Sequence, residues 1–425
     1  MSRLTRRDAL RAGGATLVAA LAGCSAPTSD TTTPRTSTTA SSGASVPGAA
    51  WTYTLDGEIG FGPAFAGGAL YAGRGDGTLV SLDPATGEER WRASAGPGFF
   101  GGPGGTGATP TVSDGLVYAV AGARSGLLGE GFRVVALHAD SGEEAWTYSL
   151  DGSRFLTLLG VHDGSVYAAT SNDHIQNEGE TLYALDAANG DVRWTATVGD
   201  PMEWALGAGG AYVATFSGLR AVSLADGSER WSKQGGVADG VHVTGDTFVA
   251  GFEPEDMPSL AGLDPKSGEV RWAGPNRRVP SYAAADGVVY AGGEPAAAYD
   301  AATGEEQWTA ESGWGGLVTG PPVGGRLFVR REGFLHAFDA ATGERQWGIH
   351  AEADGTLTAG SSLVAYVARS EDAAVPSTLV VRDAATGEQR RSVTLDPGTE
   401  LTPPVVEGDT AFVATRDGRI AAFRP

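Results

Sequence analysis

Leu82-Asp83-Pro84-Ala85-Thr86-Gly87-Glu88-Glu89-Arg90-Trp91 is the stretch whose reading decides the fold. It returns as LHADSGEEAW at 137–146, LDAANGDVRW at 185–194, VSLADGSERW at 222–231 and LDPKSGEVRW at 263–272. Three further copies follow: YDAATGEEQW at 299–308, FDAATGERQW at 338–347 and a decayed RDAATGEQRR at 382–391. Each copy follows a strand-like run ending near Val-Tyr-Ala-Gly. Within the motif, Leu or Phe is the last inward residue of a third strand. Asp accepts backbone N–H bonds in a turn, Gly supplies a positive φ, and Glu opens a fourth strand. Trp is an apolar plug against the neighbouring unit. A period of about 40 residues with roughly four strands marks a propeller blade. The expected fold is therefore all-β, a β-propeller of four-stranded blades.

Composition agrees. Gly is 65 of 425 residues, and Asp-Gly, Gly-Gly and Gly-Asp pairs punctuate short apolar runs, the signature of strands joined by tight turns. No sustained helical period occurs beyond the first two dozen residues. Asp+Glu 51 against Lys+Arg 30 leaves a net charge of −21, which excludes nucleic acid as a partner because phosphate binding needs a basic surface. Lys233 and Lys266 are the only lysines. Such a carboxylate-rich, lysine-poor surface resembles proteins of extreme halophiles, where salt screens self-repulsion over about 3 Å at 1 M. The acids recur in every repeat and do not gather as a partner patch.

The first fifty residues read as an address. Arg6 and Arg7 precede an apolar run from Ala12 to Gly23 that is too short to span a bilayer and looks like a twin-arginine signal peptide over 1–23. The run ends in Leu21-Ala22-Gly23-Cys24, which resembles a lipobox, and Cys24 is the sole cysteine. A two-chain lipid on Cys24 gives stable anchoring, so the expected location is extracytoplasmic, on the outer face of the cell membrane. Residues 24–50 are rich in Ser, Thr, Ala, Pro and Gly and read as a disordered tether with a reach of roughly 30 Å. The propeller is assigned to 51–425.

The recurring unit resembles the PQQ-like (pyrroloquinoline-quinone-type) repeat over about 51–425. That resemblance implies that the Trp of each outer strand docks on the next blade, here Trp51, Trp91, Trp146, Trp194, Trp231, Trp272, Trp308 and Trp347. The chain ends in three inner strands, Thr410–Thr415 among them, and begins with Trp51-Thr52-Tyr53-Thr54-Leu55. These are expected to join as one split blade that leaves no free edge in the ring. A literal count gives nine blades, whereas family habit favours eight. The resemblance is weakly specific for activity, since its members include quinone-dependent dehydrogenases and non-catalytic scaffolds such as the lipoprotein of the outer-membrane barrel-assembly machinery.

In a four-stranded meander the loops between strands two and three, and between blades, share one face. Here they are the variable ones: 124–132, 172–180, 253–259 and 370–377, with 96–108, 199–204, 273–281 and 311–319 between blades. Recognition usually sits on such a face. Trp204 and Trp314 are the two tryptophans outside the docking set. Phe99, Phe100, Tyr282, His174, Met202 and Met257 join them, with Arg154, Arg277 and Arg278 as anion contacts. The competing expectation is that both indoles cap the central channel as packing. The leading function is a monomeric, membrane-anchored, non-catalytic scaffold without cofactor that presents this face to a protein or small ligand. The alternative is a PQQ/Ca²⁺-dependent oxidoreductase. Against it, the folded part holds no cysteine, and Asn172, Asn177, Asn189 and Asn276 form no evident ligand cluster with acids. No G-x-S-x-G elbow or grouped histidines suggest a hydrolase.

Overall fold

The computed structural model describes residues 46–94, 110–122, 131–150, 155–171, 180–199, 201–215, 218–235, 237–252, 259–275, 277, 279–311, 315–351, 357–368, 377–395 and 401–425. Within them lie nine antiparallel four-stranded sheets, each a sequential meander apart from one. Blades 1 to 8 occupy residues 59–94, 111–150, 155–199, 201–234, 237–273, 282–309, 317–350 and 357–394. Blade 9 is split. Val405–Glu407, Thr410–Ala414 and Arg419–Phe423 form its inner strands, and Trp51–Thr54 supplies the outer one. The ring has nine blades, not the eight that family habit favoured. The split blade is a complete sheet of its own, with Trp51 paired to Ala422 and Thr54 to Arg419.

The turn chemistry of the motif can be followed atom by atom. Asp83 Oδ1 accepts the N–H groups of Ala85 at 2.9 Å and Thr86 at 3.1 Å. The Gly87 N–H closes the turn on the Asp83 carbonyl at 2.8 Å. A register shift then precedes the Trp in each of blades 1 to 7, and the Arg391 that replaces it in blade 8. Such a bulge re-aims a side chain. Arg90, Arg193, Arg271 and Arg390 use it to reach back to the turn carboxylates of Asp83, Asp186, Asp264 and Asp383 at 2.6–2.8 Å. Blade 4 carries Ser223 in place of the Asp, and its Arg230 goes to the carbonyls of Ala208 and Gly209 instead.

The joints between blades are built by the same segment. Each of the eight docking tryptophans, Trp51 and the seven of the motif, donates its indole N–H, at 2.8–3.1 Å, to a backbone carbonyl in the next blade's turn: Pro84, Ala139, Ala187, Leu224, Pro265, Ala301, Ala340 or Ala384. The ring of each indole lies flat over the turn glycine. Those eight glycines have φ between +71° and +77°. A Cβ on any of them would come within 2.4–2.8 Å of the indole. The glycine is thus required twice, for the left-handed turn and for the close approach. Tyr118, Tyr167 and Tyr212 donate to the same carbonyls as Trp146, Trp194 and Trp231, with ring centroids 5.9–6.1 Å apart. Removing one such buried indole costs about 3–5 kcal/mol.

Val46, placed in the tether on composition, is 2% exposed and packs among the apolar side chains of blades 8 and 9.

Candidate functional site

Strand direction sorts the loops onto two faces. The latch face carries the first hairpins and the Asp-Gly turns. The open face carries the ends of strands two and three and the crossings between blades. On the open face, blade 6 is unusual. Its four strands are only four residues each: Tyr282–Ala285, Val288–Ala291, Ala297–Asp300 and Glu306–Thr309. Beyond them, Gly293 and Gly316 exchange two backbone hydrogen bonds of 2.8 Å, which stitch blade 6 directly to blade 7. A Cβ on Gly315 would stand 1.8 Å from the Gly293 carbonyl oxygen, and one on Gly292 would stand 2.5 Å from that of Gly316. Only glycine permits this approach. The Ser281 hydroxyl accepts the Val318 N–H at 2.7 Å and braces the same stitch.

Beside the stitch lies a groove of about 460 Å³ lined by Pro280, Gly316, Leu317, Arg330, Arg331, Glu332 and Gly333. Leu317 is 41% exposed, and Phe334 at the adjoining strand end is 45% exposed. Phe334 stacks on His336 with centroids 6.1 Å apart and receives His350 edge-on at 5.2 Å. Burial, then the nearby Arg345 and Arg331 cations, push the His336 imidazole below its ordinary value, so it is a neutral aromatic wall at pH 7. Arg331 bridges to Glu294 of blade 6 at 2.8 Å. The result is an open, mixed groove in which Leu317 and Pro280 lie among the charged side chains of Arg330, Arg331 and Glu332. A second groove of about 530 Å³ lies between blades 3 and 4, where Arg220 donates to the Thr197 carbonyl at 2.8 Å.

Of the candidate binding-face residues, four lie among the described residues. Met202 and Trp204 lie on the innermost strand of blade 4, Pro201–Gly207, and not in a loop. Trp204 pairs with Val213 and is half-buried, while Met202 is 42% exposed. Tyr282 is held between blades. It is 8% exposed, its hydroxyl donates to the Gly240 carbonyl at 2.6 Å and accepts the Gly251 N–H at 2.8 Å, and it ties blade 6 to blade 5. Its ring meets His242 edge-on, and burial keeps that imidazole neutral. Arg277 sits beside the glycine stitch. It donates to the Gly292 carbonyl at 3.0 Å and so positions the glycine stitch. Phe99, Phe100, Arg154, His174, Met257, Arg278, Trp314, Arg6, Arg7 and Cys24 lie outside the described residues.

Sequence reasoning passed over Leu317, Phe334, Arg330 and Arg331. The paired glycines 292–293 and 315–316 were a visible signal of close backbone approach. Among the described residues no three His, Cys, Asp or Glu side chains converge to hold a metal ion.

Nine radially packed meanders, latched by indoles on turn glycines, define a repeat propeller of the PQQ type. The PQQ_2 family, described as outer membrane protein assembly factor BamB, matches residues 39–149, 130–295 and 292–425. The chain belongs to this family. The outer membrane protein assembly factor BamB of Burkholderia pseudomallei (strain K96243) is 26% identical over 400 residues, which is 88% of this chain and 87% of that protein. The crystal structure of BamB from Moraxella catarrhalis superposes with a TM-score of 0.51 at 18% identity, covering 89% of this chain and 99% of that one. The computationally designed Ika8 protein gives a TM-score of 0.51 at 14% identity, covering 90% and 98%. At these identities the structural likenesses speak to fold alone.

Proposed function

We propose that the chain is a membrane-anchored, extracytoplasmic scaffold that docks a partner protein on its open face and catalyses no reaction. One observation carries this reading: the groove at blades 6 and 7, lined by exposed Leu317 with Arg330 and Arg331, next to the exposed Phe334 at the adjoining strand end. The acids and indoles that recur through the repeat are spent instead on turns and latches. The name of the Burkholderia relative points to work on proteins, which supports a protein as the partner class. Export through Arg6 and Arg7 and a lipid on Cys24 would hold the disc at the outer face of the membrane.

The test is site-specific photocrosslinking in cells. Probes at Leu317 and Phe334 should capture a protein. A probe at Val192, 43% exposed on an outer strand at its latch-face end, should not. Equal capture at all three positions, or none at the groove, would remove the open face from the proposal.

A further inference from the structure

Eight of the nine joints share the indole-on-glycine latch, and the ninth does not. At the outer strand of blade 8 the latch position holds Arg391, and blade 9 has no turn between its third and outer strands to receive a latch, because its outer strand comes from the other end of the chain. The residues just before that strand fill the gap. The Arg391 guanidinium donates to the Gly48 carbonyl, Val46 is buried beside Val393 and Leu395, and the Ala50 N–H bonds the Ala422 carbonyl at 2.7 Å. On the other side, Trp51 latches onto blade 1, and the Tyr53 hydroxyl is shared between Glu89 and Arg92.

We infer that residues 46–54 form a releasable strap, and that load on the chain upstream of Val46 peels it from the seam between blades 8 and 9, drawing Trp51 off its latch on blade 1 in the same event, before any of the other seven indole-latched joints gives way. Two geometric facts carry this. The strap strand has only four paired positions, Trp51 to Thr54. It is also antiparallel to Arg419–Phe423, with Trp51 opposite Ala422, so the two chain termini leave from the same end of the pair. Tension between them parts the pairs one after another, like a zip, whereas tension along a strand must break them together. Release of Trp51–Thr54 would bare the edge of Arg419–Phe423, a ready template for another strand. The inference does not depend on what the open face binds or on a lipid at Cys24.

The test stretches the full chain between a handle on its sole cysteine, Cys24, and a handle on the C-terminus. The first rupture should lengthen the chain by at most about 30 Å, the span of the nine extended residues from Val46 to Thr54, and should reverse on relaxation. Arg391→Ala should lower the force of that event and leave the later ones unchanged. A first event the size of a whole blade or larger, or an unchanged force in Arg391→Ala, overturns the inference. Hydrogen exchange on the unaltered chain is the independent check. The Ala50 and Leu55 amides, bonded to Ala422 and Gly418, should exchange at least tenfold sooner than the outer-strand amides of blade 1. Equal rates would refute the strap.

Discussion

Gly190 and Gly115 both have φ +77°, and they allow the latch to be tested against its own control. An alanine at either position pays the left-handed backbone cost, about 1–2 kcal/mol. At Gly115 a Cβ meets nothing within 4 Å, so the cost stops there. At Gly190 the Cβ would lie 2.5 Å from Cε3 of Trp146 and 2.8 Å from Cδ2, against the 3.5–4.0 Å that carbon atoms prefer. The indole must then retreat by about 1 Å. That retreat stretches its 3.0 Å bond to the Ala187 carbonyl and loosens the joint between blades 2 and 3. Overpacking of this kind costs about 1–3 kcal/mol, with loss of the whole indole, about 3–5 kcal/mol, as the ceiling. Gly190→Ala should therefore destabilise by about 2–5 kcal/mol and Gly115→Ala by about 1–2 kcal/mol. The assay is urea unfolding at fixed salt, followed by tryptophan fluorescence and circular dichroism, comparing midpoints at a shared slope. Gly304, 2.6 Å from the Trp272 ring, and Gly287, with nothing within 4 Å, repeat the contrast. Indistinguishable midpoints within both pairs would mean that the indoles do not hold the joints.

Four further outcomes are expected. Leu317→Ser with Phe334→Ser should weaken partner capture at least tenfold while moving the unfolding midpoint little; a large loss of stability with capture intact would make them packing residues. Cys24→Ser should shift the protein from the membrane to the soluble fraction on cell fractionation, and unchanged retention would refute the lipid anchor. The hydrogen bond from Arg390 holds the Asp383 carboxyl down to about 2, below the unfolded value near 3.9. That contribution is complete above about pH 4 and is lost as the pH falls toward 2, so Asp383→Asn should flatten the acid limb of a midpoint-against-pH curve, and an unaltered limb would show the pair to be idle. Addition of PQQ and Ca²⁺ should produce neither bound-quinone absorbance nor alcohol- or sugar-dependent dye reduction; either signal would revive the oxidoreductase reading.

What the sequence determined by itself was local and periodic. Asp, Gly and Trp at fixed offsets specify a turn and an indole within ten residues, and eight copies specify a ring of such units. The complementary ends, three inner strands at one terminus and one outer strand at the other, made the split blade legible too. Tertiary structure decided whatever joins residues from different repeats. Tyr282 reads as a loop aromatic until its hydroxyl is seen bridging Gly240 and Gly251. Arg277 reads as a free cation until it is found on the Gly292 carbonyl. The groove needs Pro280, Leu317 and Arg331 brought together by a stitch between glycines 23 residues apart. Arg391 looks like decay of the motif until Gly48, 343 residues away, arrives beside it. Turn chemistry is fixed by neighbours in the chain, whereas a joint depends on how one blade's edge meets the next, and that is set only when the ring closes.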